Sequence, residues 1–462
     1  MPSQSRRAYL RALALGGASA LAGCPGNGAT DSDTPASDGE GTPPDSTTTN
    51  EPTPTATATR NETPTETPTE TATDEPTTTA TPEPRLGGAV TPRSDADWPL
   101  PDRSAANDAY AADGAVSGES PSVAWRTGAR RPDGVSDNYD PVFGPPVVAD
   151  GRVYIANGLT YGPQLSLPHR QQFRAFDAAT GEELWTHEIS DETDGVPEPE
   201  DAVVGEDAIL VAAGQRLRVL DPATGEARRT QTFPDGIETV TPAGDRTYVV
   251  ADDTVHALGP DGDTEWTTTA TVHVGARPAL GTDHLYVGGS SKQLYALDPA
   301  TGDVRWNRTV EHHSGDGPLA VYDVVAVGGG VLVRRANETV YAYDDAGEQV
   351  WYSTGGYRSL ATDGSRVYCG RETGAVRALD VATGDRRWER EYGLDGGVER
   401  PIVAGDRLSL TDGESLVAAR SDNGTEDWRT RADAGNLVAG SDGLVGVGYS
   451  AERDRFELVA WR

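Results

Sequence analysis

One phrase recurs along this chain and restricts its fold more than any other feature. It reads Ala175-Phe176-Asp177-Ala178-Ala179-Thr180-Gly181-Glu182-Glu183-Leu184-Trp185. It returns as Val219-Leu220-Asp221-Pro222-Ala223-Thr224-Gly225. It returns again as Ala296-Leu297-Asp298-Pro299-Ala300-Thr301-Gly302 before Trp306, and as Ala378-Leu379-Asp380-Val381-Ala382-Thr383-Gly384 before Trp388. Shorter versions pair Gly262 with Trp266, Gly347 with Trp351 and Gly424 with Trp428. The tryptophan stands four residues after its glycine, and only the second copy departs, with Arg229 in that place. From Trp266 to Trp428 the tryptophans recur every 37 to 45 residues. A fixed period of that length marks a repeat architecture.

The Asp-x-x-Thr-Gly core is turn chemistry. A carboxylate accepts backbone N–H groups two residues on, and glycine takes the left-handed conformation that closes a hairpin. These aspartates could also be metal ligands, but recurrence at every turn favours structure. The tryptophans read alike. An indole at one fixed place per repeat packs on the next repeat; ligand stacking is the alternative. Trp125, Trp185, Trp266, Trp306, Trp351, Trp388 and Trp428 are therefore assigned as structural repeat positions.

Each repeat divides into four short strands. An example is Pro278-Ala279-Leu280, Leu285 to Gly288, Leu294 to Leu297 and Val304-Arg305-Trp306, with Gly, Asp and Asn between them. Outer strands near Trp185, Arg229, Trp266, Trp306, Trp351, Trp388 and Trp428 make seven. The chain stops at Leu458-Val459-Ala460-Trp461-Arg462, which aligns with the third strand of a repeat. The missing fourth strand stands at the other end, as Ser122-Val123-Ala124-Trp125-Arg126-Thr127. The expected fold is all-β: an eight-bladed β-propeller of four-stranded antiparallel blades over residues 120–462, closed by its N-terminal strand. Closure removes two exposed sheet edges.

The Ala-x-Asp-x-x-Thr-Gly-x-x-x-Trp pattern resembles the tryptophan-docking repeat of pyrroloquinoline-quinone (PQQ) propellers. That superfamily implies two functional branches: quinoprotein dehydrogenases and BamB-like lipoprotein scaffolds of a membrane-protein assembly machine. The dehydrogenase branch implies adjacent cysteines stacked on the quinone, a calcium site, an Asp base and long insertions. This chain has two separate cysteines, Cys24 and Cys369, and compact blades. In size, anchor and lack of insertions it is similar to the BamB-like branch.

The N-terminus reads as an address. Ser5-Arg6-Arg7-Ala8-Tyr9-Leu10-Arg11 resembles the twin-arginine export motif, with Arg6 and Arg7 as the pair. The apolar run Leu13 to Ala22 is too short and too rich in Gly and Ala to span a bilayer. It ends in Leu21-Ala22-Gly23-Cys24, which resembles a lipobox. Residues 1–24 are thus expected to be a lipoprotein signal peptide, with Cys24 the lipid attachment site; a plain signal peptide is the alternative. Residues 25–85 are Thr-, Pro- and Glu-rich and carry no apolar periodicity, the composition of a disordered stalk. Residues 86–119 form a transition segment.

The formal charge is -34, from 39 basic and 73 acidic side chains, and Lys292 is the only lysine. Such a surface repels nucleic acid, so none is expected as a partner. The charge reads either as a solvated surface or as halophilic adaptation, in which salt screens the repulsion. Buried in a strand-like run, Cys369 is expected to act as a small hydrophobe. Asn307-Arg308-Thr309, Asn337-Glu338-Thr339 and Asn423-Gly424-Thr425 fit N-glycosylation sequons.

The longest loops are Asn157 to Gln172, Ser190 to Asp201 and Val310 to Gly317. They fall on the face shared by the fourth-to-first and second-to-third connections, the candidate binding face. It carries His169, His312 and His313, read as solvated side chains rather than metal ligands, since a metal needs three or four convergent groups. The expected function is a non-catalytic scaffold, lipid-anchored on the outer face of the cytoplasmic membrane, monomeric and bound to extracytoplasmic protein partners. No cofactor is expected. The alternatives are a quinoprotein oxidoreductase or sensor holding PQQ with calcium, and a surface carbohydrate-binding or adhesion module.

Overall fold

The computed structural model describes residues 104, 106–111, 116, 119–129, 141–159, 172–189, 199–205, 208–243, 246–270, 276–289, 292–310, 320–336, 338–440, 443–450, 453 and 455–462. Cys24, Arg6, Arg7 and the stalk lie outside them. The described residues form eight sheets, antiparallel apart from one short added strand, and no helix. Blades 1 to 7 span 141–188, 199–232, 237–269, 279–309, 321–354, 357–391 and 402–431. Blade 8 takes Gly435–Gly440, Gly443–Ser450 and Arg455–Trp461 from the end of the chain and Val123–Gly128 from its start.

That closure has a defined register. Val123 pairs with Trp461 and Thr127 with Leu458, and Ser122 and Arg462 exchange backbone hydrogen bonds beyond the strand end. The joint also holds a buried charge. Glu457 has no exposed surface, and Arg126, Arg453 and Arg455 lie 3.6, 2.8 and 3.1 Å from its carboxylate. The sequence expectation of an eight-bladed ring with one shared blade thus holds.

Successive blades are clasped by their tryptophans. The indole of one blade lies on the turn glycine of the next, and its Nε1–H donates to a carbonyl of the same turn. Trp125 donates to Ala178 (2.8 Å), Trp185 to Pro222 (3.0 Å), Trp266 to Pro299 (3.2 Å), Trp306 to Asp345 (2.9 Å), Trp351 to Val381 (2.8 Å) and Trp388 to Ser421 (3.0 Å). Glycine is required beneath the ring. At Gly384 φ is +73°, and an added Cβ would sit 2.7 Å from the Trp351 indole. Alanine makes the room on the other side. Trp185, Trp266, Trp306, Trp351, Trp388 and Trp428 pair with Ala175, Ala257, Ala296, Ala342, Ala378 and Ala418, each beside a β-bulge. A bulge turns the strand and re-aims the side chain next to it.

Arg229 holds the exceptional place by the same chemistry. Its Nη1 donates to the carbonyl of Asp261 in the turn of blade 3. The turn aspartates are spent locally. Asp177, Asp221, Asp298 and Asp380 each accept the two N–H groups that follow in their own turns, at 2.7–3.1 Å. Arg228, Arg305 and Arg387 pair with the last three. Hydrogen bonds to these carboxylates hold all four below the usual carboxylate range.

Candidate functional site

The first strand of each blade faces the axis, and these inner strands pack side by side around it. Their free edges line a central channel. The channel holds a piece of the chain itself. Residues 106–111, which the sequence places in a transition segment outside the ring, run around the inner rim.

The contacts follow the rotational repeat. The carbonyls of Ala106, Asp108 and Ala109 accept the backbone N–H groups of Ala326 (2.9 Å), Thr362 (2.9 Å) and Val403 (3.0 Å). Those three donors hold one place, counted from the first hairpin of blades 5, 6 and 7. Tyr110–Ala111 then runs parallel to Ile402–Ala404 as an added strand, and Ala111 accepts from Gly405 (2.9 Å). The side chain of Asn107 reaches the other way. Its Nδ2 donates to Arg277 O (2.9 Å), Pro278 O (3.3 Å) and Val324 O (3.0 Å) in blades 4 and 5. Ala109 and Ala111 are fully buried.

Beside this segment the rim is charged. Asp323 of blade 5 pairs with Arg334 of its own blade and lies 3.9 Å from Arg400 of blade 7. This pair reaches past blade 6. Arg400 keeps 41% of its side-chain surface exposed. The guanidinium of Arg334 also covers Tyr322, 5.3 Å from the ring centroid.

Glu399 stands at the top of the inner strand of blade 7. Its Oε2 accepts the N–H of Asn436 at 3.0 Å, and a Cβ at Gly435 would overlap the carboxylate. Burial pushes Glu399 up from 4.5 to about 6; the Asn436 bond opposes the shift and nearby Asp412 adds to it. The sign follows. The folded ring holds this proton more tightly than the unfolded chain does, so the ring loses stability as pH rises from about 4.5 through 6. The loss amounts to about 2 kcal/mol at most. Glu399→Gln keeps the acceptor for Asn436 and is expected to flatten that part of the stability–pH curve, measured by denaturant melts between pH 4 and 7. An unchanged slope would rule the assignment out.

His169, His312 and His313 lie outside the described residues, as do most of the three long loops assigned to the candidate face. Cys369 is buried in an apolar cluster that includes Trp351, Leu360 and Leu379, and burial pushes its thiol far up. No three Asp, Glu, His or Cys side chains converge to hold a metal among the described residues. Asn423 shapes a turn, with its Oδ1 accepting the N–H of Thr425 at 2.8 Å.

A closed ring of eight sheets clasped by docked tryptophans and turn glycines defines a PQQ-type repeat propeller. The chain belongs to the family described as outer membrane protein assembly factor BamB, which matches residues 169–337 and 336–447. It is similar to BamB of Yersinia pestis, 23% identical over 276 residues, 55% of this chain and 60% of that protein. It thus spans less than two thirds of that curated relative. Among solved structures, BamB from Moraxella catarrhalis superposes with a TM-score of 0.50 at 19% identity, covering 64% of this chain and 94% of that one. A europium-containing methanol dehydrogenase superposes with a TM-score of 0.55 at 13% identity, covering 80% and 98%. At these identities the structures share the fold alone.

Proposed function

We propose that the chain is a non-catalytic, extracytoplasmic binding scaffold, held at the membrane through a lipid on Cys24 after export directed by Arg6 and Arg7. The observation that carries this reading is the family match, which spans most of the ring. Two features support it. The blades are compact, and the channel holds residues 106–111 of the same chain. The docking face is proposed to be that of the long connections with His169, His312 and His313, and the partners to be proteins.

The anchor is tested by fractionation in a native host. Cys24→Ser is expected to move the protein from the membrane to the soluble extracytoplasmic fraction, and retention at the membrane would refute the lipid. Crosslinking the anchored protein in intact cells, followed by mass spectrometry, should map partner contacts to that face. Contacts confined to the turn face would overturn the assignment.

A second reading, a quinoprotein, is favoured by the likeness to a methanol dehydrogenase fold. The described residues fit it poorly, because Cys369 has no neighbouring cysteine and no metal-ligand cluster is present among them. Dye-linked alcohol oxidation after loading with PQQ and calcium would establish that reading and displace the scaffold.

A further inference from the structure

We propose that the inner rim of blades 4 to 7 is a peptide-binding site, filled in cis by residues 106–111. In trans it takes a peptide of a partner protein that adopts the same bent backbone, with the pattern small–Asn–polar–small of Ala106-Asn107-Asp108-Ala109.

The rim recognises backbone. Three equivalent N–H groups, of Ala326, Thr362 and Val403, meet three carbonyls of the segment, and an added parallel strand continues the contact. The Tyr110–Ala111 part is strand addition to the edge of blade 7, and along the whole segment main-chain bonds supply affinity and side-chain positions supply selection. Selection falls on Asn107. The two amide hydrogens of its side chain are shared among the carbonyls of Arg277, Pro278 and Val324. Pro278 and Val324 hold equivalent places on adjacent blades, so the amide reads the seam between them. The fully buried Ala109 and Ala111 leave no space for larger side chains.

The segment is held in a shape it does not prefer. Asn107 has φ of 60° and Ala109 has φ of 51°. The left-handed region is unfavourable for alanine and persists only where surrounding contacts impose it. The rim therefore supplies the conformation, as a binding site does for a bound peptide. Tethering gives the cis segment an effective concentration near millimolar, which shuts out a free peptide. A partner reaches the rim when the cis segment is drawn out.

The biological use of this site rests on the scaffold reading; its existence does not. The test uses the full chain with a specific protease sequence inserted between Asp113 and Gly114. The folded protein is cut, and the fragment ending at Asp113 is followed by size exclusion at falling concentrations. A synthetic peptide of residues 102–113 is then added in excess.

The expected result has three parts. The cut fragment stays on the ring at micromolar concentration, the peptide displaces it, and Asn107→Ala in the cut protein weakens retention at least tenfold. Two results would overturn the proposal. One is a fragment that leaves at once with no rebinding of peptide. The other is loss of the ring's melting transition when the fragment departs, which would make the segment a structural strand. Either failure leaves the crosslinking of the long-loop face unaffected.

Discussion

Deleting residues 120–128 is expected to lower the melting temperature of the ring by at least roughly 10 °C and to broaden the transition. The deletion removes the outer strand of blade 8, the Trp125 clasp onto Ala178, and Arg126 beside the buried Glu457. Loss of one buried indole alone costs about 3–5 kcal/mol. Differential scanning calorimetry would show the change, and the exposed edge of Arg455–Trp461 should promote self-association. A deletion variant that melts like the parent would contradict the shared-blade closure.

Trp388→Ala should be the costliest single truncation among the clasps, at about 3–5 kcal/mol. Its indole is 7% exposed, stacks near Tyr368 at 6.0 Å and donates to Ser421. Alanine leaves a cavity and removes the shorter of the two hydrogen bonds to the Ser421 carbonyl, which also faces the Tyr368 hydroxyl at 3.3 Å. Arg229→Ala is the internal comparison. It removes one hydrogen bond to Asp261 from a partly exposed site, which is worth about 1 kcal/mol. Urea titrations of the two variants should therefore differ by at least threefold in lost stability. Equal losses would mean that the indoles do not hold neighbouring blades together.

The ring was legible because its rules are written in side chains. The Ala that faces a tryptophan, the Asp that closes most of the turns and the Gly under an indole all stand in the repeated phrase. The shared eighth blade followed from where the last copy stops. Arg229 was visible as a departure, yet its meaning was not. The sequence cannot show that a guanidinium reaches a carbonyl of the next blade's turn, one residue beyond the one an indole N–H takes.

Residues 106–111 were illegible for a different reason. Their hold on the rim runs largely through backbone carbonyls and two left-handed residues, neither of which leaves an apolar period. The one available signal was Asn107 among small residues, and it acquires meaning only when carbonyls of two blades converge on it. The carboxylate of Glu399 was likewise hidden, because its partner Asn436 belongs to the next blade.

The single arginine clasp breaks the monotony of a circle built from near-identical joints. Where indoles seal the other contacts with hydrocarbon, the contact between blades 2 and 3 is bridged at its periphery by a solvated cation. Water and salt reach that bridge more readily than they reach a buried ring. Beneath that bridge the joint keeps a buried apolar cluster, with Leu210, Leu217, Ile237 and Val249 among its members, so the cation loosens the periphery of the circle at one place and leaves its interior sealed.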